Sequence, residues 1–360
     1  MSSSPDVASR RDVSVIGLGA WGGALALHCA RLGHTVTAWH RPGERFKALL
    51  EKGEIRAAKD ALFKLPKTVK LTSDIGEALS GDQTPNSDRD LARLIIIALP
   101  ARAWGEVLPQ ILKVLEQRPS KYLLISATKG LLSLAPHSDD AQTPLSWVAD
   151  TLKVDRDRLA VVSGPSFASD LVAQTPITLV AASKSGESAR EIAISLSGPA
   201  LRVYTSGDPL GVELGGILKN VIVLAVGISD ALGYGPSTRA ALITRGLAEM
   251  TRLGVALGVE QQTMFGLSGL GDLVMTATDD QSRNRGVGLA LGRGVALDHI
   301  LRDLGATAEG VYSAPIALGL AKRVGVDVPI MTLVARVLRG EIAPRDLAAN
   351  LMSRPLRGEG

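Results

Sequence analysis

The sequence predicts an α/β chain, with an N-terminal doubly wound sheet followed by an all-helical C-terminal domain. Three observations predict it. Short runs rich in valine, isoleucine and leucine alternate with helix-like stretches through the first half. The first of those runs ends in the glycine spacing Gly17-Leu-Gly19-Ala-Trp-Gly22. From Gly211 onward, strand-like alternation gives way to long helical periodicity broken by glycine.

Taken in order, residues 13–16, 34–39, 94–99, 122–126, 159–162 and 177–182 read as strands, with 68–72 and 201–204 as weaker ones. All are short, apolar and bounded by turn residues, as buried parallel strands are. A helix is expected at Thr143-Pro144, a capping residue followed by proline at the first helical position. Residues 80–90 and 133–143 are polar and read as surface insertions. Beyond residue 206, Leu214, Ile217, Leu218, Val221, Ile222, Leu224 and Ala225 make a helix apolar around most of its circumference, which predicts central burial. Residues 238–257 form another helix, with Leu242, Leu247 and Met250 on its apolar side. The expected division is a disordered leader at 1–11, a nucleotide-binding domain at 12–207 and a helical domain at 208–360.

Bulk properties narrow the class. A chain of 360 residues exceeds what one core usually serves. Aromatics at 3% argue against base stacking. The net charge of +4 is spread along the chain, which favours small anionic ligands over nucleic acid. The single cysteine, Cys29, excludes an internal disulfide and fits a reducing, cytoplasmic setting. No apolar run approaches the roughly 18 residues of a membrane span, and the start lacks the apolar core of a secretory signal. The five histidines, His28, His34, His40, His137 and His299, show no metal-ligand spacing, and no nucleophilic triad is expected.

The chemistry lies in a few motifs. Gly17, Gly19 and Gly22 follow a strand and open a helix, which is the dinucleotide fingerprint: a tight turn, close pyrophosphate approach and close helix packing. The second strand ends Trp39-His40-Arg41 with no carboxylate for a ribose 2′-hydroxyl. Arg41 either pairs with a 2′-phosphate, favouring NADPH over NADH, or is a solvated surface arginine. Lys129 in Ser126-Ala-Thr-Lys129-Gly130 follows a strand, where ligands of open parallel sheets lie, and otherwise reads as a solvated lysine. Gly164-Pro165-Ser166 is either a ligand loop with hydroxyl and amide donors or an ordinary strand-to-helix turn.

Lys219 and Asn220 stand inside the apolar helix, four residues after Gly215 and Gly216. Mid-helix glycines cost about 1 kcal/mol each, so they imply cleared space or tight helix packing. Burial would lower the Lys219 pKa toward the range of a general acid or base. Asp272 follows the Gly269-Leu-Gly271 turn, and Ser282-Arg283-Asn284 offers a guanidinium fork with hydroxyl and amide donors, a set suited to phosphate. Asp272 is expected to accept from a substrate hydroxyl or to orient Lys219, facing it across the reacting carbon.

Together GLGAWG, SATKG, SGPSFA, ELGGILKN, RAALITRGLAEM, GLGDLVMT, SRNR and Ala308-Glu309-Gly310 resemble the bacterial-type NAD(P)-dependent glycerol-3-phosphate dehydrogenase family, in order from about residue 12 to about 340. The resemblance implies a Rossmann domain followed by a helical domain of the 6-phosphogluconate-dehydrogenase-like type, usually in a homodimer. It implies interconversion of dihydroxyacetone phosphate and sn-glycerol 3-phosphate with NADP or NAD, for glycerophospholipid synthesis. By position, Lys219 looks like the family's proton donor and acceptor, assisted by Lys129, Asn220 and Asp272. Lys129, Gly164, Ser166, Lys219, Asp272, Ser282, Arg283 and Asn284 look like its substrate contacts. Gly17, Gly19, Ala20, Trp21, Gly22, Arg41, Lys129, Ala168, Arg283 and Glu309 look like its cofactor contacts. One departure is Ala101, after Pro100, where the family more often carries serine.

Three other readings share parts of this pattern. A sugar-nucleotide dehydrogenase needs a catalytic cysteine, and Cys29 in the first helix is misplaced for that. A ketopantoate reductase has no need of the Ser-Arg-Asn set. A non-catalytic NADP-binding regulator predicts a degraded proton-transfer site, whereas Lys129, Lys219, Asn220 and Asp272 are all present.

Overall fold

The computed structural model describes residues 10–58, 61–80, 92–117, 121–133, 141–304, 307–353 and 355. Most of the expected leader and most of both polar insertions lie outside them. The chain divides into two compact units, Met1–Thr128 with Pro144–Glu213, and Lys129–Thr143 with Leu214–Gly360. The segment Lys129–Thr143, inside the expected first domain, thus groups with the second unit.

The order of elements begins β1 Asp12–Ile16, α1 Ala20–Arg31, β2 Thr35–Trp39, α2 Glu44–Lys52, β3 Glu54–Ala58, β4 Ala61–Lys64, β5 Lys70–Thr72, α3 Ile75–Ser80, β6 Arg93–Ile97, α4 Trp104–Gln117 and β7 Tyr122–Ser126. It continues with β8 Leu132–Ser133, β9 Ala141–Gln142, α5 Pro144–Thr151, β10 Leu159–Ser163, α6 Ala168–Val172, β11 Ile177–Ser183, α7 Gly186–Leu196 and β12 Leu201–Ser206. Eight strands form one sheet in the order β12-β11-β10-β7-β6-β1-β2-β5. The sheet is buried on both faces, and Val15, Leu94, Ile96, Ile125 and Leu179 are core residues. That explains why its central strands read as continuous apolar runs.

Two features differ from the sequence expectation. Strand β11 runs antiparallel to β10, and β12 parallel to β11, so the sheet is mixed rather than parallel throughout. The reason is the connection. Helix α6 has five residues, about 7.5 Å of rise against about 17 Å for a five-residue strand. So short a helix cannot return the chain for a parallel crossover, and the strand reverses instead. Second, β3 and β4 form a hairpin that the sequence pattern did not reveal. Its Ile55 and Phe63 pack onto α1 where a β-carbon at Gly23 would lie 2.6 Å from Ile55 Cδ1.

The second unit is helical apart from the short β8–β9 pairing. It is built from α8 Pro209–Ala231, whose first residues up to Glu213 group with the first unit, and from α9 Pro236–Ala256, α10 Gln261–Phe265, α11 Asp272–Thr278, α12 Arg283–Gly292, α13 Leu297–Leu304, α14 Glu309–Arg323, α15 Pro329–Leu338 and α16 Leu347–Met352. Helix α8 is buried in the protein. Contrary to the sequence expectation, it is long and apolar enough by composition to cross a membrane, yet its apolar window is wholly buried in the protein. Its burial leaves Lys219 and Asn220 inside the unit, where polar groups need protein partners.

Candidate active site

In the first unit, β1 runs into α1 through the glycine loop. Gly17 has φ +107, and a β-carbon there would lie 2.7 Å from Ala98 O. A β-carbon at Gly22 would overlap Gly17 O, so this glycine sets the closeness of helix and strand. Gly19 differs: its φ of −77 suits any residue, and a β-carbon there meets nothing within 4 Å. No side chain caps α1, which leaves the amides of its first turn, at Ala20, Trp21 and Gly22, facing that opening. The Trp21 indole Nε1 is buried without a partner among the described residues. Open space beside Gly19, at a helix N-terminus with amide donors, fits a dinucleotide pyrophosphate.

At the end of β2, Arg41 is exposed, and His40 Nδ1 contacts Arg41 O at 2.8 Å. Burial lowers the His40 pKa, the Arg41 carbonyl opposing the shift and the Arg45 and Arg41 charges adding to it, and no carboxylate stands at the strand end. After β10, Gly164 has φ +146 and abuts β11, where a β-carbon would lie 3.0 Å from Thr178 O. Ser166 Oγ donates to Gly164 O at 3.1 Å, and Ala168 opens α6.

In the second unit, Lys129, Lys219 and Asp272 meet. Lys219 Nζ donates to Asp272 Oδ1 at 2.6 Å, and Lys129 Nζ donates to Asp272 Oδ2 at 2.6 Å. The Asp272 side chain is 0% exposed, that of Lys219 5% and that of Lys129 21%. One buried carboxylate is therefore shared by two ammonium groups, and the cluster keeps a net positive charge. Lys219 and Asp272 are in direct contact, rather than facing each other across a substrate-sized gap. Burial pushes the Lys219 pKa down to about 8, Asp272 opposing the shift and Lys129 adding to it.

Local structure explains the placement. A single π-helical turn, Leu267–Gly271, presses against α8, where a β-carbon at Gly215 would lie 2.8 Å from Ser268 O. Gly215 therefore permits backbone approach rather than opening space for a ligand. The turn delivers Asp272 as the first residue of α11. Thr276, which the sequence reading missed, sits one turn further on the same face. Its hydroxyl donates to Asp272 O at 2.6 Å and accepts from Lys219 Nζ. The four-residue spacing from Asp272 was the available signal.

The Asn220 amide hydrogens go to Lys129 O at 3.1 Å and Gly216 O at 3.3 Å. Its Oδ1 accepts from Asn284 Nδ2 at 2.9 Å, and Asn284 Oδ1 accepts from Gly310 N at 2.9 Å. Both side-chain amides are thus engaged within the protein. A β-carbon at Gly310 would lie 2.9 Å from Asn284 Oδ1, which accounts for the glycine after Glu309. Ser282 Oγ caps α12 by accepting from Arg285 N at 3.2 Å, leaving its hydroxyl hydrogen to donate. Arg283 is exposed, makes no hydrogen bond among the described residues, and has the Glu309 carboxylate within electrostatic range.

A dinucleotide loop in a doubly wound unit, joined in one chain to a helical unit holding a buried lysine–aspartate–lysine cluster, defines the class of NAD(P)-dependent dehydrogenases. Comparison narrows the class. The profile of the NAD-dependent glycerol-3-phosphate dehydrogenase N-terminus matches residues 12–189, and that of the C-terminus residues 208–349. The chain belongs to this family. It is 45% identical over 354 residues to glycerol-3-phosphate dehydrogenase [NAD(P)+] of Leptothrix cholodnii, covering 96% of this chain and 99% of that one. The namesake protein of Thioalkalivibrio sulfidiphilus is 42% identical, covering 98% and 99%. The crystal structure of glycerol-3-phosphate dehydrogenase from Coxiella burnetii is similar with a TM-score of 0.84 at 34% identity, covering 96% of this chain and 99% of that one.

Proposed function

We propose that the protein interconverts dihydroxyacetone phosphate and sn-glycerol 3-phosphate, using NADPH in preference to NADH. The observation that carries this reading is the shared buried carboxylate, Lys219–Asp272–Lys129, in a chain of this family. When bound, the nicotinamide supplies or accepts the hydride at the substrate carbon. The Lys219 ammonium gives its proton to the ketone oxygen in reduction and takes it back in oxidation. A pKa of about 8 leaves it protonated at neutral pH, yet ready to release the proton. Asp272 and Thr276 hold its Nζ in place. Lys129 adds the positive charge that stabilises a developing alkoxide, and Asn220 anchors its backbone carbonyl.

Phosphate recognition is assigned to Arg283, with the Ser282 hydroxyl, and with Asn284 fixing the turn that carries them. Support comes from the Asn220–Asn284 hydrogen bond, which ties the residue after Lys219 to the residue after Arg283. Gly164 and Ser166 are proposed as further substrate contacts. Gly17, Gly19, Ala20, Trp21, Gly22, Arg41, Lys129, Ala168, Arg283 and Glu309 are proposed as cofactor contacts. The NADPH preference is supported by exposed Arg41 at a strand end that lacks a carboxylate. A cytoplasmic homodimer supplying glycerophospholipid synthesis is also proposed. It rests on the family resemblance and, for the compartment, on the one buried cysteine, Cys29.

The test is NADPH oxidation with dihydroxyacetone phosphate, with dihydroxyacetone as control. Far faster turnover with the phosphorylated ketone than with dihydroxyacetone is expected, and no turnover with the phosphorylated ketone would sink the reading.

A further inference from the structure

The motif Ser282-Arg283-Asn284-Arg285 carries two arginines with opposite surroundings. Arg283 is exposed, whereas the Arg285 side chain is 10% exposed, with both Nη groups held in a charge network and its buried Nε without a partner among the described residues. Arg285 Nη2 donates to Asp230 Oδ2 at 2.7 Å, and Nη1 pairs with Asp280. Asp230, 6% exposed, also receives Arg239 Nε at 3.0 and 3.2 Å. Every member of this trio sits where a helix dipole disfavours it. Asp230 is in the last turn of α8, while Arg239 and Arg285 are in the first turns of α9 and α12. Such placement gains nothing from the helices themselves, so the network's value lies in the geometry it imposes.

That geometry concerns the site. Helices α8 and α12 touch backbone to backbone. A β-carbon at Gly227 would overlap Arg285 O, and one at Gly288 would overlap Leu224 O. The Asn220–Asn284 bond and the Asp230–Arg285 pair are two side-chain ties across this seam, ten residues apart on α8 but adjacent on α12. Both hold the first turn of α12, the segment that presents Arg283.

We propose that the Asp230–Arg285 pair, clamped by Arg239, is a positioning device for phosphate recognition, fixing the first turn of α12 on α8 so that Arg283 stands at a set distance from Lys219. Neither Asp230 nor Arg285 touches the substrate. The inference rests on the phosphate role proposed for Arg283.

The test compares wild type with Arg285→Lys, Asp230→Asn, Arg283→Ala and the double variant Arg283→Ala/Arg285→Lys. Arg285→Lys keeps the charge but loses the fork. It is expected to raise KM for dihydroxyacetone phosphate by about 10- to 100-fold, as small misplacements of a binding group do. The saturated kcat, and kcat/KM for dihydroxyacetone, stay near wild type. On the Arg283→Ala background, Arg285→Lys adds less than about a twofold further loss, since coupled residues do not add. An unchanged KM, an equal loss with both ketones, or full additivity overturns the proposal. Should Asp230→Asn fail to fold, Arg285→Lys alone decides. Inorganic phosphate affinity by calorimetry separates the two readings. If wild type binds phosphate but does not reduce the phosphorylated ketone, the proposed function falls, and weaker phosphate binding by Arg285→Lys still supports positioning. If wild type binds no phosphate, the positioning proposal falls as well.

Discussion

Replacing Asp272 by asparagine removes the one negative charge between two lysines and leaves shape almost unchanged. At 2.6 Å from Lys219 Nζ, and with an effective dielectric of about 20, the lost attraction is about 6 kcal/mol. Solvent beside Lys129, which is 21% exposed, screens part of this. The expected fall in the Lys219 pKa is therefore about 1–3 units, the usual effect of one close opposite charge. Ketone reduction requires protonated Lys219. In wild type, kcat in that direction should drop as pH rises through about 8. In Asp272→Asn the same limb should move to lower pH by at least about one unit. The oxidative direction requires neutral Lys219, so its rising limb should move the same way. The assay is kcat against pH for NADPH oxidation with saturating dihydroxyacetone phosphate. A limb that stays at its wild-type pH, or moves up, would refute Asp272 as the group that holds the proton on Lys219.

Other changes separate fold from function. Gly19→Val should leave the thermal midpoint near wild type, because a β-carbon there meets nothing within 4 Å, but raise the NADPH Kd at least about tenfold by filling the phosphate opening. Normal NADPH binding by this variant would disprove the pyrophosphate site. Arg41→Ala should weaken NADPH more than NADH in paired titrations, and equal losses would mean Arg41 does not read the 2′-phosphate. Lys219→Met should abolish turnover yet stabilise the protein. The folded-state pKa of Lys219 is depressed from 10.5 to about 8, so the unfolded chain holds that proton more tightly. The resulting destabilisation, about 3 kcal/mol, is complete below pH 8 and fades as pH rises toward 10.5. Asp272 keeps Lys129 as its partner in this variant, so no charge is stranded. Urea unfolding should show an advantage at pH 7 that shrinks by pH 10, and a variant less stable at pH 7 would contradict this.

The parts of the fold that were legible are those whose side chains report burial directly. Strands β6, β7 and β10 are runs such as Leu94-Ile-Ile-Ile and Tyr122-Leu-Leu-Ile because both faces are covered. The β3–β4 hairpin is short, and Glu54, Arg56, Leu62 and Lys64 face solvent around Ile55 and Phe63. So weak an alternation does not stand out from a loop. The reversal of β11 was hidden for a different reason. Its sequence, Ile177-Thr-Leu-Val-Ala-Ala-Ser, suits either direction, and only the length of α6 decides.

The site divides along similar lines. A lysine after mid-helix glycines in an apolar helix is anomalous in one dimension, so Lys219 was visible. Its contact with Asp272 and Lys129 is not, because α8, α11 and the loop after β7 supply one group each. Donor capacity alone does not say what a side chain binds. Asn220 and Asn284 carry groups that suit a substrate, and in the protein they bond to each other, to Lys129 O, to Gly216 O and to Gly310 N. The two arginines of Ser282–Arg285 make the point most sharply, since composition and spacing cannot tell them apart. Position i of α12 faces outward, and position i+2 turns toward α8 and meets Asp230. Helical rotation, not residue type, leaves Arg283 open to a ligand while Arg285 is held by the protein. For that reason a substitution at the buried arginine is the more informative probe. It alters what the exposed one can reach without removing any group that binds.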